Sequence, residues 1–208
     1  MSVDAGRFAG WVDRFAARNG GAPVLSRDDE DRPVLTAPDG TTATCDLVFD
    51  DGGGYADVPG LVAWVQRPHP YGLLLVRRGG WAVALAEGTR VGASRVGTRY
   101  VQGQTKAGGW SQQRYARRRA QQAEGLVGAA ADAAHELLPA GGVTVTGGDR
   151  LLLRDTLAAV ARQGAPLRVA GRRLDVPDPR RRVLDDAARA ACAVRINVVD
   201  PAGGPPVH

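Results

Sequence analysis

The 208-residue chain is long enough to bury a sizeable core, as one domain or as a large domain with a small companion. No run is apolar enough to cross a bilayer, and the start MSVDAGRFAGWVDRF lacks the basic, apolar and small-residue regions of a secretory signal, so the cytoplasm is expected and a membrane partner is not. Formal net charge is +5, but its distribution is uneven: residues 1–60 hold 5 basic and 11 acidic side chains, residues 61–123 hold 11 and 1, and residues 124–208 hold 11 and 10. The central block, with Glu87 its only acid, predicts a positive surface of the kind a polyanion-binding protein needs.

Gly6 to Arg18 reads as an amphipathic helix with Phe8, Trp11, Val12 and Phe15 on one face, ended by Asn19-Gly20-Gly21. Short extended runs follow at Pro23–Leu25 and Pro33–Thr36, separated by Asp28-Asp29-Glu30-Asp31, which has no ordered ligand spacing and reads as a solvated loop. Thr42 to Phe49 is a further strand after the turn Pro38-Asp39-Gly40, and Cys45 within it and Cys192 match no metal-ligand spacing and read as reduced thiols. Asp50 to Gly54 is a connector, and composition shifts near residue 60. The expected organisation is an acidic accessory segment 1–60, a main domain 61–200 and a flexible tail 201–208.

Tyr71 to Val76 and Trp81 to Ala86 are apolar runs joined by Arg77-Arg78-Gly79-Gly80, a hairpin signature, and Thr89 to Val101 is a third extended run with Arg95 and Arg99 on one face. A glycine-rich loop then opens into a helix expected over Ser111 to about Leu138, with Ser111 as N-cap and a small-residue seam of Ala116, Ala120, Ala123, Val127, Ala130, Ala134 and Leu137. Tyr115 is assigned to the core. Arginines crowd the first third of this helix, opposing its dipole, and an external anion would offset that cost. Val143–Thr146 and Leu167–Val176 read as strands, Leu151–Gln163 (capped by Asp149) and Arg181–Ala191 as helices, and Ala193–Val199 as a last strand. The fold class expected is α/β, a mixed sheet covered by helices.

Catalytic signatures are absent: there is no GxxxxGK[ST] loop, no GxGxxG after a strand, no HExxH and no paired-cysteine zinc pattern. His69, His135 and His208 are scattered, and Ser111 has no nucleophile elbow. No metal or cofactor is expected. What remains is Gly108-Gly109-Trp110-Ser111-Gln112-Gln113-Arg114, which follows three strands and opens a basic helix. Glycine pairs reach backbone conformations closed to other residues, and the first N–H groups of a helix have no intrahelical acceptor, so this end suits a phosphate or an oxyanion.

This segment resembles the actinobacterial branch of the Vms-like release factor (VLRF) family, peptidyl-tRNA hydrolases related to the catalytic middle domain of eukaryotic and archaeal termination factors. The resemblance spans about Leu61 to Val199 and is sharpest at GGWSQQR. Family members carry a glycine-rich loop ending in glutamine; here Trp110-Ser111 intervenes between the glycine pair and Gln112. Gln112 and Gln113 are both candidates for the functional glutamine, Gln112 favoured because it directly follows the serine. The resemblance implies a release-factor middle-domain-like, RNase H-like arrangement and a stalled ribosome as the setting for ribosome quality control. Its expected partners are the large subunit, ribosomal RNA and peptidyl-tRNA, met by a monomeric protein. Gly108, Gly109, Ser111, Gln112 and Gln113 would form the catalytic loop, while Arg99, Lys106, Arg114, Arg117 and Arg118 would bind RNA. Trp110 would either stack on a base or anchor the loop. Cleavage of the tRNA near its acceptor end, and RNA binding without chemistry, stand as alternatives.

Overall fold

A computed structural model describes residues 1–50, 54–98 and 110–201; within the last stretch the side chains of 110–116, 118 and 119 are not described. In chain order the elements are β1 (Ser2–Val3), α1 (Phe8–Arg18), β2 (Val24–Arg27), β3 (Pro33–Thr36), β4 (Thr42–Asp46) and α2 (Val58–Gln66). They continue with β5 (Pro70–Arg77), β6 (Gly80–Glu87), β7 (Arg90–Gly97), α3 (Trp110–Leu137), β8 (Val143–Gly148), α4 (Arg150–Arg162), β9 (Arg168–Leu174), α5 (Arg181–Cys192) and β10 (Val194–Val199). They form two compact units, Met1–His69 with Cys192–His208, and Pro70–Ala191.

The first unit is built on a five-stranded antiparallel sheet of order β1-β10-β4-β3-β2. Residues Phe8, Trp11, Val12 and Phe15 of α1 recur at helical spacing and are all buried, with the Trp11 ring stacked 6.0 Å from Phe8 and 5.3 Å from Phe15. They cover the inward residues Leu35, Ala43, Cys45, Val194 and Ile196, while Arg195 and Asn197 point away. The acidic tetrad closes the β2–β3 hairpin. One Asp28 oxygen accepts from the N–H groups of Glu30 and Arg32, and the other lies 2.7 Å from the Arg32 guanidinium.

Three expectations change here. The expected boundary at residue 60 falls inside α2, whose start is set by the Asp57 carboxylate accepting from the Gly60 N–H at 2.7 Å and by Pro59 in the first turn. The strand at the end of the expected 61–200 domain, β10, pairs instead with β4 and β1 in the first sheet, where the Met1 amine donates to the Ile196 carbonyl at 2.8 Å. The mixed sheet covered by helices expected of an α/β fold is that of the second unit, and the N-terminal segment, expected as a small extension, forms with β10 a five-stranded sheet of its own. The physical reason is that alternation in VRINVV specifies a strand with one buried face and says nothing about which strands it pairs with.

The second unit has sheet order β7-β6-β5-β8-β9, an antiparallel meander β5-β6-β7 followed by β8 and β9 parallel to β5. This is the RNase H-like arrangement. One face carries Leu74, Val76 and Val83 beneath Leu126, Ala130, Ala134 and Leu138 of the α3 side and Leu152, Leu153 and Val160 of α4. On the other face Tyr71 precedes Leu73 and Leu75 at every second position, and its hydroxyl lies 2.9 Å from the Gly88 carbonyl and 3.4 Å from that of Ala188 in α5. Helix α5 turns Val183, Leu184, Ala187, Ala188 and Ala191 inward.

Candidate nucleic-acid interface

Strand register defines two ends of the second sheet. Gly72 pairs with Thr144 near the starts of the parallel strands β5 and β8; Val76 pairs with Gly148 at their ends, Arg77 with Gly80, and Trp81 with Gly97. The carboxyl end of the parallel strands is therefore also where β7 finishes, and hence where the glycine-rich segment departs. In open α/β sheets this is the end at which ligands bind. A side chain at Gly72 would meet the Leu138 side chain at 2.9 Å, which places the C-terminal end of α3 at the opposite edge. The first residues of α3 consequently point back to the carboxyl end.

Helix α3 has 28 residues, about 42 Å, whereas an eight-residue strand spans about 27 Å. Burial on the helix begins only at Leu126; Arg117, Ala120, Gln121 and Glu124 are exposed, and none of the described side chains before Leu126 is buried. The first third of α3 thus overhangs the sheet by roughly 15 Å. Ala120 is exposed and so lies outside the small-residue seam expected of it. Ala130, Ala134 and Leu138 hold the other end of the helix in the core.

The helix begins at Trp110, so Ser111 is its second residue and not its N-cap. Gln112 and Gln113 then lie in the first turn, among the four residues whose N–H groups have no acceptor within the helix. Trp110, Ser111, Arg114 and Arg118 share this overhang, and Arg117 on it is exposed, with no ion pair to a described residue. Arg99, Lys106, Gly108 and Gly109 lie outside the described residues, and the Tyr115 side chain assigned to the core is likewise not described. Arg95, on the expected basic face of β7, forms an ion pair with Glu136 near the far end of α3. It belongs to the fold and not to the interface.

Two further features come to the carboxyl end. Asp149 directly follows β8, and its carboxylate accepts from the N–H groups of Leu151 and Leu152 at 3.0 and 3.2 Å, starting α4 as expected. Gly148 before it has φ +106, and a Cβ there would lie 2.2 Å from the Val76 carbonyl oxygen; only glycine fits between strand and helix. Arg78 and Arg150 are exposed at this end, and the sequence alone does not bring them together because the pairing of β5 with β8 does.

Among the described residues no group of three His, Cys, Asp or Glu side chains is placed to hold a metal ion, and no helix is long and apolar enough to cross a membrane. The perturbed groups that can be described lie in the first unit. Burial pushes the Cys45 thiol up to about 12. Burial also raises Tyr55, helped by its bond to Asp50, and the Arg32 guanidinium lowers the Asp28 carboxyl. These are structural roles within the first unit.

An RNase H-like sheet with a basic helix projecting from the carboxyl end of its parallel strands fits the expected release-factor middle-domain-like arrangement. The family model described as Actinobacteria/chloroflexi VLRF1 release factor matches residues 69–197, and the chain belongs to that family. Comparison with curated proteins gives no match. Membership makes the protein a translation-related factor of release-factor type that interacts with the ribosome.

Proposed function

We propose that the protein is a cytoplasmic peptidyl-tRNA hydrolase that frees nascent chains from stalled ribosomal complexes by cleaving the ester between peptide and tRNA. The observation that carries this reading is the start of α3 at Trp110, which puts Gln112 in a first turn whose N–H groups have no acceptor within the helix, on a helix projecting from the sheet, in a chain of the release-factor family. Water attacks the ester carbonyl carbon, and the oxyanion of the tetrahedral intermediate is held by the Gln112 N–H or side-chain amide. Collapse breaks the bond to the tRNA ribose oxygen, which takes up a proton, leaving a peptide carboxylic acid and deacylated tRNA. Preorganised donors stabilise such an intermediate without a titrating base. Gly108 and Gly109 permit close approach to the acceptor end, Ser111 and Gln113 flank the reacting group, and Arg99, Lys106, Arg114, Arg117 and Arg118 neutralise phosphates of tRNA or ribosomal RNA.

The test is peptide release from purified ribosome–nascent-chain complexes, with the tRNA product sized. Gln112→Ala is expected to slow release by about 10²–10³ while co-sedimentation with ribosomes is unchanged, the loss typical of one oxyanion donor. Release at the parental rate by this variant rules out the Gln112 side-chain amide as the donor, and parental release also by Gln112→Pro, which removes the backbone N–H within the first helical turn, sinks the assignment. A shortened tRNA with its ester intact would instead establish cleavage of the acceptor end.

A further inference from the structure

The topology gathers more cations at the carboxyl end of the second sheet than those on α3. Arg78 sits in the β5–β6 turn, Arg150 opens α4, and Arg173 is one residue from the end of β9, its guanidinium donating to the Gly148 carbonyl. Arg77 donates to the Val176 carbonyl and pairs with Asp178, which pins the segment after β9 to this same end, so α5 also starts here, preceded by Arg180 and with Arg182 in its first turn. Thus α3, α4 and α5 all begin at one edge, and none has an acid in its first turn. α4 and α5 place arginine there instead, Arg150 and Arg181-Arg182, and in α3 Arg114 follows directly after the first turn, each against the helix dipole.

Which of these charges are already neutralised is legible in the contacts. Arg77 pairs with Asp178, Arg154 with Asp155 and Arg181 with Asp185. Arg78, Arg150, Arg173, Arg180 and Arg182 are exposed and have no carboxylate within ion-pair distance among the described residues. Asp149 is engaged as a helix cap, and Asp175, directly after β9, is exposed and forms no ion pair among the described residues. The excess of cations over anions is built from three separate connections, the β5–β6 turn, the start of α4 and the β9–α5 segment, so it is a surface of the fold and not a run of basic sequence.

We propose that this edge, carried by Arg78, Arg150, Arg173, Arg180 and Arg182, is a second RNA-contacting surface that grips a phosphate backbone alongside the α3 overhang. Arginine presents a planar fork matched to phosphate oxygens, and several forks around helix starts, where backbone N–H groups also favour anions, suit a continuous polyanion. An RNA duplex or the folded acceptor region of a tRNA supplies phosphates at that density. The proposal rests on the functional reading above for its partner class, but its measurement does not require hydrolysis.

The experiment titrates end-labelled deacylated tRNA with the full-length protein across a salt series, comparing the parent with a variant carrying Arg78→Gln, Arg150→Gln and Arg182→Gln. Each lost phosphate contact lowers the slope of log K against log salt by about 0.7–0.9, so the variant is expected to lose about 2–3 from the slope and at least about ten-fold in affinity. Its urea midpoint should stay at the parental value, since all three side chains are exposed. Adding Arg117→Gln should lower binding further and by the same factor as in the parent, the behaviour of separate contacts. An unchanged slope and affinity overturns the proposal, as does poly-L-glutamate binding as tightly as tRNA, which would make the edge a general anion acceptor. Loss of release in Gln112→Ala with this binding intact, or the reverse, separates a failure of the RNA surface from a failure of the hydrolase reading.

Discussion

In the first unit the Arg27 guanidinium lies 3.1 Å from Asp50 and 4.9 Å from the centre of the Tyr55 ring, and Arg32 is held by Asp28 and Glu30 at 2.7 and 3.0 Å. At the carboxyl end of the second sheet, Arg78, Arg150, Arg180 and Arg182 face solvent without such partners among the described residues. The same residue type therefore serves two purposes. Where acids are abundant, arginine closes turns and braces an aromatic cluster; where they are scarce, it leaves positive potential over the surface. Net charge alone conceals this, because the acidic N-terminal segment offsets the basic middle of the chain.

The sharpest way to break the comparison is to attack β10, which follows the second unit in sequence but belongs to the sheet of the first. Ile196 is buried in β10 against the α1 face, although it lies far from that helix in the chain. Ile196→Ala is expected to cost about 2–5 kcal/mol, the usual price of truncating a buried aliphatic side chain. Hydrogen exchange should show protection lost first in α1, β3 and β4, with β5, β6 and β8 retained to higher denaturant. Loss centred on β8 and β9 instead would show that the chain's last strand supports the second sheet.

A second effect should separate the units by pH. The Cys45 thiol, buried in the first sheet, is raised from 9.0 to about 12 by desolvation. Below pH 9 it is protonated in folded and unfolded chains alike and contributes nothing to the pH dependence. Above pH 9 the unfolded thiol ionises while the folded one stays neutral, so stability falls with rising pH, by on the order of 4 kcal/mol by pH 12. Urea midpoints measured from pH 8 upward should decline in the parent and decline less in Cys45→Ala. Equal slopes would remove Cys45 as the cause. Tyr55, also raised by burial and by its bond to Asp50, adds a loss of the same sign that begins above its ordinary value.

On the basic side the expected change is in binding and not in stability. Arg117 is exposed on the stretch of α3 that overhangs the sheet. Arg117→Gln should lower the salt slope of tRNA binding by about 0.7–0.9 and leave the unfolding curve unmoved, within about 0.5 kcal/mol. A collapse of the fold would mean that Arg117 is part of the packing.

The residues show why some of this organisation was legible in sequence and some was not. Phe8, Trp11, Val12 and Phe15 name their own face because a helical period leaves one solution, and Tyr71–Val76 and Trp81–Ala86 declare a hairpin because the turn between them carries paired glycines. The Asp149 cap was readable for the same local reason. Helix α2 carries a start signal in Asp57 and Pro59, but the glycines before it and the shift in charge make the same stretch read as a boundary. Nothing local distinguishes β10 as a partner of β4, or unites Arg78, Arg150 and Arg182 at one edge. Those are consequences of pairing between distant strands, which periodicity does not encode. The loop Gly108-Gly109 and its neighbours stood out by composition, and the start of α3 then moved Ser111 from cap to helix.

The smallest effect is also the one that best separates fold from interface. Asp149 sits among the arginines of the basic edge, but its carboxylate is turned to the N–H groups of Leu151 and Leu152. Asp149→Ala should therefore cost about 1 kcal/mol of stability through loss of the cap, while removing a negative charge from the edge proposed to hold RNA. Affinity for tRNA at low salt should stay level or rise, even as the urea midpoint drops. If affinity falls in step with stability, the carboxylate is orienting the neighbouring arginines, and the division between a structural acid and a ligand-binding base at this edge is wrong. If stability is untouched, the capping bonds contribute nothing to the start of α4, and its position would have to be set by Gly148 and the packing of Leu152 and Leu153 alone.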